Sequence, residues 1–139
     1  MVQIIAGRKG KGKTKYLLDR ANAAIKESGG SIVYLDKSGK HMYELNNKIR
    51  LINVTEYPVD GVDAFVGFIS GIISQDHDLE QMYLDSFLKL ADLEGKDITK
   101  TIKTLYKIGK KYNITFIISI SLDIDEISEE IRDYVVISL

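Results

Sequence analysis

The chain has 139 residues, of which 45% are hydrophobic and 28% charged, and its formal net charge is -1. A chain of this size and composition is typical of one globular domain that buries a substantial core, not of a linker or a disordered tail. The near-neutral charge gives no overall indication of nucleic-acid binding, and the absence of cysteine excludes disulfides and thiolate metal sites.

Neither a targeting segment nor a histidine metal site is predicted. The first apolar run, Val2–Ala6, is too short for a signal peptide, and no apolar stretch approaches the roughly 18 residues that a membrane span requires. We therefore expect a cytoplasmic protein without a membrane partner. His41 and His77 lack the spacing of zinc ligands, and we expect both on the surface or in loops.

The opening apolar run predicts a strand and leads directly into the octet GRKGKGKT at residues 7–14. This octet matches G-x-x-x-x-G-K-[ST], the phosphate-binding loop or Walker A motif. Gly7 and Gly12 allow the backbone N–H groups between them to turn inward, since a Cβ at the tightest bends would obstruct the loop. Lys13 can reach the β- and γ-phosphates, the Thr14 hydroxyl can bind Mg²⁺, and the following helix directs its positive N-terminal dipole at the anion.

We predict that a nucleotide contacts the whole loop and the residue after it: Gly7, Arg8, Lys9, Gly10, Lys11, Gly12, Lys13, Thr14 and Lys15. The basic residues within the loop have two interpretations. They could attract a polyphosphate, or they could occupy exposed positions that tolerate lysine freely. The second interpretation is favoured for Arg8 and Lys9, and both stay open for Lys11.

Several segments follow before the middle of the chain. Apolar residues at helical spacing predict a helix over residues 14–28. The run Ser31–Asp36 predicts a parallel strand that is covered on both faces, and Lys37–Lys40 predicts a polar turn. Residues 41–48 are ambiguous and include a candidate helical turn, and Arg50–Val54 predicts a further short strand.

The middle of the chain alternates between helices and a strand. A helix is predicted over residues 59–75, and we expect Gly67 and Gly71 on it to allow close packing against the sheet rather than dimerisation. The run Glu80–Asp85 predicts a strand that ends in a carboxylate, and Phe87–Leu93 predicts a short helix.

The last third continues the alternation. An amphipathic helix is predicted over residues 97–111, a buried strand over Ile114–Ser121, a short acidic helix over 123–130 and a last strand over Tyr134–Leu139. The main alternation predicts one α/β domain over residues 1–139, with a three-layer α/β/α fold and a mainly parallel five-stranded sheet.

Two charged surfaces are candidates for partners. Lysines fall within about a third of the circumference of the helix over 97–111: Lys96, Lys100, Lys103, Lys107, Lys110 and Lys111. This face could bind nucleic acid or an acidic protein, but a solvated face is favoured because no aromatic side chains are interleaved. An acidic cluster has the opposite charge and would permit head-to-tail pairing in a homo-oligomer: Asp123, Asp125, Glu126, Glu129, Glu130 and Asp133.

In a parallel sheet, ligands bind beyond the carboxyl ends of the strands. This rule places the loop, Asp36, Asp85 and Ser119–Ser121 at one edge. A phosphate loop needs an acidic partner for Mg²⁺, usually an Asp at the end of a buried strand. We favour Asp85 over Asp36, and the alternative for either is a cap on the following helix.

Four segments, in order along the chain, carry a family resemblance: residues 7–14, Met82–Leu88, Thr115–Ser119 and Glu130–Val136. Together they resemble RecA- and KaiC-type P-loop ATPases. The resemblance implies a RecA-like core that binds ATP and Mg²⁺, a Walker B role for Asp85, and a sensor of the γ-phosphate at Ser119 or Ser121.

The chain differs from this family at the position of the catalytic Glu, which usually follows the strand after the first helix. Here Asp36 ends that strand, and no Glu follows Asp85 either. Our first hypothesis is an ATP-binding protein with weak Mg²⁺-dependent hydrolysis, in which Lys13, Asp36 and Ser119 are the catalytic candidates and Thr14 and Asp85 hold the metal. The alternatives are a non-hydrolysing nucleotide-binding switch or scaffold, and a small P-loop phosphotransferase or adenosyltransferase.

Overall fold

Six strands form one sheet in the computed structural model, which describes all of residues 1–139. The strands are β1 (Val2–Ala6), β2 (Ser31–Asp36), β3 (Arg50–Asn53), β4 (Leu79–Leu84), β5 (Thr115–Ile120) and β6 (Val135–Ser138). Their order across the sheet is β3-β2-β4-β5-β1-β6, and every pairing is parallel. The predicted α/β class with a mainly parallel sheet is confirmed.

The predicted number of five strands is wrong. The additional strand is β3, which pairs with β2 in the register Val33↔Arg50 to Asp36↔Asn53 and forms one edge of the sheet. It is only four residues long and has no fully buried residue. It also follows β2 without an intervening α-helix. A strand count based on the alternation of strands and helices therefore omits β3.

Four α-helices connect the strands: α1 (Lys13–Ile25), α2 (Val62–Ser74), α3 (Phe87–Leu90) and α4 (Thr99–Tyr112). Short 3-10 helices occupy Met42–Glu44, Val54–Glu56, Ile124–Glu126 and Glu129–Tyr134. The acidic helix predicted over residues 123–130 is therefore two separate 3-10 helices. No helix combines the length and the apolar character that a membrane span requires.

Helices cover both faces of the sheet, because successive residues of each strand point to opposite faces. On one face Leu17 and Leu18 of α1 pack with Ile5, Tyr34 and other residues that point the same way. On the other face α2, α3 and α4 pack over a larger core of 27 buried residues, which includes the neighbouring strand residue Ile4. This arrangement is compatible with the predicted three layers.

The two glycines of α2 do not pack against the sheet. Gly67 and Gly71 are exposed, and a Cβ built on either would meet no atom within 4 Å. The buried face of α2 is instead formed by Phe65, Ile69 and its neighbours. The expectation of close packing at these glycines is wrong, because they lie on the opposite side of the helix.

The glycine that does permit close packing is Gly109 on α4. A Cβ at this position would lie 2.6 Å from the Ile114 carbonyl oxygen and 2.8 Å from the Met1 nitrogen. These two atoms are themselves hydrogen-bonded at 2.9 Å, so neither can move aside alone. The end of α4 is thereby held against the start of β1.

We expect Gly109→Ala and Gly67→Ala to change stability in opposite directions. Gly109→Ala should lower the free energy of unfolding by about 1–3 kcal/mol through overpacking, although alanine favours the helix. Gly67→Ala should raise it by up to about 1 kcal/mol, since the added methyl is free and alanine has the better helix propensity. Urea-induced unfolding measures both. A stabilised Gly109→Ala protein would contradict the close approach.

Candidate functional site

The Gly7–Thr14 loop exposes a continuous series of unpaired backbone donors. Gly10 and Gly12 have left-handed backbone angles, with φ of 81° and 89°. None of the backbone N–H groups from Arg8 to Lys15 donates a hydrogen bond within the protein, whereas the flanking N–H of Gly7 and Tyr16 do. The last of these N–H groups belong to the first turn of α1, where a helix has no internal acceptors. Such a series of N–H groups at a helix N-terminus is suited to binding an anion.

Lys13 lies across this loop. Its side chain is largely buried, and its Nζ donates to the Arg8 carbonyl oxygen at 2.9 Å. Burial lowers the pKa of Lys13, and the negative charge of Asp85 opposes this effect. The ammonium group is thus held between the loop and the strand ends, where it can neutralise a bound anion.

Asp85 follows the end of β4 and is only 2% exposed. Its Oδ1 accepts hydrogen bonds from the Thr14 hydroxyl at 3.2 Å and the Ser119 hydroxyl at 2.8 Å. Its Oδ2 accepts from the Tyr34 hydroxyl at 2.7 Å. Burial and the charge of Asp85 raise the pKa of Tyr34, so its hydroxyl stays a donor at neutral pH.

The residue after Asp85 is held in an unusual backbone conformation. Ser86 has φ 59° and ψ 48°, the left-handed region that residues other than glycine rarely adopt. Its backbone N–H donates to the Ser119 hydroxyl at 2.9 Å. Ser119 therefore links the turn after β4 to the carboxylate itself, and the strained turn holds Asp85 at the edge of the sheet.

Asp36 ends the neighbouring strand β2 and is 3% exposed. Its Oδ1 accepts from the Lys37 backbone N–H at 2.7 Å, and its Oδ2 is the one buried side-chain polar atom without a hydrogen-bond partner. Burial, followed by the negative charge of Asp85, raises the pKa of Asp36. Two carboxylates thus end adjacent strands, and only one of them is fully hydrogen-bonded.

A cavity of about 370 Å³ opens at this edge of the sheet. The loop lines it with Lys9, Gly10, Gly12, Lys13 and Thr14, and the ends of β4 and β5 line it with Asp85, Ser86, Ser119 and Ser121. The remaining wall is formed by Lys37, Leu88, Lys89 and Glu94. Because Leu88 is the only hydrophobic member, the cavity suits a charged group better than an apolar one.

The structure brings Lys13, Thr14, Asp85, Ser119 and Ser121 together around this cavity. The predicted residues that do not line it are Gly7, Arg8, Lys11, Lys15 and Asp36.

Two of these side chains have partners elsewhere in the chain. Arg8 pairs with Asp123 at 2.8 Å and with Glu126 at 3.4 Å. Lys15 pairs with Asp19 at 2.8 Å, on the exposed surface of α1. At both positions the backbone N–H, rather than the side chain, remains available to an anion.

Six residues of the site were not predicted as site residues: Tyr34, Lys37, Ser86, Leu88, Lys89 and Glu94. Tyr34 had a recognisable signal, since a tyrosine within a buried strand needs a partner for its hydroxyl. Ser86 and Leu88 lie in the run that carries the family resemblance, but no role is assigned to them there. Lys37, Lys89 and Glu94 lie in turns and on short α3, where no pattern in the sequence indicates which way a side chain points.

The residues present fit a phosphate with Mg²⁺. Two hard oxygen donors meet in the cavity, namely the Thr14 hydroxyl and the Asp85 carboxylate, which are hydrogen-bonded to each other at 3.2 Å. Mg²⁺ in nucleotide sites is typically held by one or two carboxylates together with phosphate oxygens. The chain has no group of three or more His, Cys, Asp or Glu placed to hold a metal by themselves.

Comparison with known proteins gives no assignment. A scan against protein-family models found no match, and a search of curated proteins found none either.

We expect Asp36→Asn to stabilise the folded protein at pH 7, because asparagine keeps the acceptor for the Lys37 N–H and removes a buried charge beside Asp85. The free energy of unfolding should rise by about 1 kcal/mol, the common size of a single-residue effect, because the substitution removes the buried charge while a polar atom stays at the Oδ2 position. The pKa of Asp36 is raised in the folded state, so the wild-type penalty is present at neutral pH. It disappears as the pH falls below 3.8, the ordinary carboxyl pKa.

Urea unfolding at pH 7 and pH 3.5 measures this difference. Exposed Asp60 makes no ion pair, and Asp60→Asn is the matched control, with an expected change within about 0.5 kcal/mol at either pH. If Asp36→Asn is less stable than wild type at pH 7, Asp36 is not an electrostatically unfavourable group.

Proposed function

We propose that this chain binds ATP together with Mg²⁺ in the cavity beside the Gly7–Thr14 loop and hydrolyses it weakly. The main support is the run of unpaired backbone N–H groups from Arg8 to Lys15 around the Lys13 ammonium. Fixed donors at a helix N-terminus stabilise phosphate oxygens without rearrangement. A chance match to the motif would not require every N–H of the segment to lack an internal acceptor.

The chain's residues take separate roles in this proposal. The loop N–H groups bind the phosphate chain, and Lys13 neutralises the β- and γ-phosphates. Thr14 and Asp85 hold Mg²⁺, which when bound supplies charge neutralisation at the phosphate oxygens. Ser119 and Ser121, at the end of β5, contact the terminal phosphate.

In this proposal the fold is a RecA-like P-loop core. Its support is the parallel sheet in which the loop follows β1, Asp85 follows β4, and β5 lies between these two strands. The hydroxyl of Ser119 on β5 connects the two sides of the site through Asp85.

Weak hydrolysis is proposed because of the position of Asp36. Its Oδ2 has no hydrogen-bond partner, so it keeps the acceptor capacity that a water-positioning group needs, although the atom is buried. However, Asp36 does not line the cavity, since Lys37 takes that place in the wall. The group that would orient the attacking water is therefore set back from the phosphate.

The same observation favours a second candidate, a nucleotide-binding switch that does not hydrolyse ATP. The two carboxylates that do line the cavity are Asp85, which already accepts three hydrogen bonds, and exposed Glu94. Under this alternative, bound ATP acts by its presence rather than by its turnover.

We expect Lys13→Ala to lower the affinity for Mg-ATP by about 10- to 100-fold, because a charge-assisted contact worth about 1.5–3 kcal/mol is lost. Isothermal titration calorimetry measures this. Lys26→Ala is the matched control, since Lys26 is exposed at the far end of α1 from the loop. Equal affinities for wild type and Lys13→Ala would overturn the proposed site.

Turnover distinguishes the two candidates. We expect wild-type protein with saturating Mg-ATP to release phosphate slowly but above the level of Lys13→Ala, and removal of Mg²⁺ by a chelator to abolish this release. A malachite-green assay follows the product. If ATP binds but wild type and Lys13→Ala release phosphate equally, the ATPase is excluded and the non-hydrolysing switch is selected.

A further inference from the structure

Lys37 and Lys89 form a cationic wall on the side of the cavity away from the Gly7–Thr14 loop. Lys37 follows the last residue of β2, and Lys89 lies on α3 just beyond the end of β4. These strands are neighbours in the register Leu35↔Leu84, so both lysines come to the same corner of the site.

Neither lysine forms an ion pair within the chain, although the charge of Asp36 acts to raise the pKa of Lys37. None of the six ion pairs includes Lys37 or Lys89, and Glu94, which lines the same cavity, pairs with neither. Asp36 is adjacent in sequence, but it is buried and directs Oδ1 at the backbone N–H of Lys37. Burial and then the charge of Lys89 lower the pKa of Lys37, which agrees with two ammonium groups in close proximity.

An anion between the two lysines would relieve their mutual repulsion. Like charges that line one cavity repel each other, and a divalent oxyanion would offset both charges.

The lining of the cavity shows where such an anion lies relative to the loop. Lys37 and Lys89 line the same cavity of about 370 Å³ as Lys13, Thr14 and Asp85. Thr14 and Asp85 are hydrogen-bonded to each other at 3.2 Å. A phosphate group bound in this cavity can therefore contact the loop on one side and the lysines on the other.

We propose that Lys37 and Lys89 form a second oxyanion subsite, which binds the terminal phosphoryl group of the nucleoside triphosphate, either attached or as free phosphate beside the diphosphate. This inference rests on the proposed function, because the loop must hold the rest of the nucleotide. The subsite makes the protein selective for the triphosphate over the diphosphate, since only the triphosphate reaches both the loop and the lysine pair.

The test compares wild type with the double variant Lys37→Gln/Lys89→Gln by calorimetry with Mg²⁺ and ADP, ATP, or ADP plus inorganic phosphate. We expect wild type to bind ATP at least about tenfold more tightly than ADP, and the double variant to lose about tenfold or more of the ATP affinity. ADP affinity should stay within about twofold. The control Lys26→Gln/Lys110→Gln removes the same charge from exposed positions outside the cavity and should change neither affinity.

The phosphate arm separates the two sources of the oxyanion. If inorganic phosphate tightens ADP binding to wild type but not to the double variant, the subsite accepts free phosphate. If inorganic phosphate leaves ADP binding unchanged and only the ATP affinity falls in the double variant, the subsite accepts the attached phosphoryl group alone. Circular dichroism checks the fold of each variant, and Lys89→Gln, at an exposed position, gives the same comparison should the double variant unfold.

The remaining outcomes overturn the inference. An equal loss of ATP and ADP affinity would mean that the lysines act only through general charge, and no loss would mean that they do not contact the nucleotide. Either result leaves the proposed function intact. If wild type binds neither nucleotide, the proposed function and the subsite both fail.

Discussion

Asp85 is a nearly fully buried carboxylate whose hydrogen-bond partners come from three different elements of the fold. Burying an ionised carboxylate costs several kcal/mol unless hydrogen bonds replace the lost water. Here Thr14 at the start of α1, Tyr34 on β2 and Ser119 on β5 provide hydroxyl donors. The relative positions of these elements are therefore constrained at the edge of the sheet by the need to satisfy one side chain.

The order of the strands explains why such a link is required. The Gly7–Thr14 loop follows β1 and Asp85 follows β4, and β5 separates the two strands. Main-chain hydrogen bonds between neighbouring strands cannot connect the loop to Asp85. The connection is made by side chains, since Ser119 bridges from the intervening strand and Thr14 reaches over its end. The site depends on this topology because its two halves come from strands that do not touch.

This dependence also shows how far sequence reasoning could go. The strands Val2–Ala6 and Ser31–Asp36 were predicted accurately, because each is a local pattern that does not need the rest of the chain. The convergence of Asp85 and Ser119 followed from the rule on parallel strand ends. In contrast, Lys37 and Lys89 line one cavity only because β2 and β4 are neighbours, and the sequence does not reveal which strands pair.

Other errors have the same origin. The run Arg50–Val54 predicts the edge strand β3, but the count of five strands omits it because no α-helix separates it from β2. Gly67 was assigned to the buried side of α2 although it lies on the exposed side. The apolar residues of α2 are numerous enough to fill more than one face, so the pattern alone did not separate the buried face from the exposed one. Burial is decided by the tertiary arrangement, and local spacing indicates it only when one face is clearly polar.

The charged groups at this edge of the sheet do not form a structural ion-pair network. Asp36 is buried with one unpartnered oxygen near a second buried carboxylate, and Lys37 lies near Lys89. The charge of Asp85 acts on Lys13 and that of Asp36 on Lys37, but none of these groups forms an ion pair, whereas Arg8 is paired with Asp123. Groups with perturbed pKa values are concentrated at functional sites. In the function proposed above, a polyphosphate with a divalent cation would complement these charges, because the metal would face Asp85 while the phosphate oxygens would face the lysines and the backbone N–H groups.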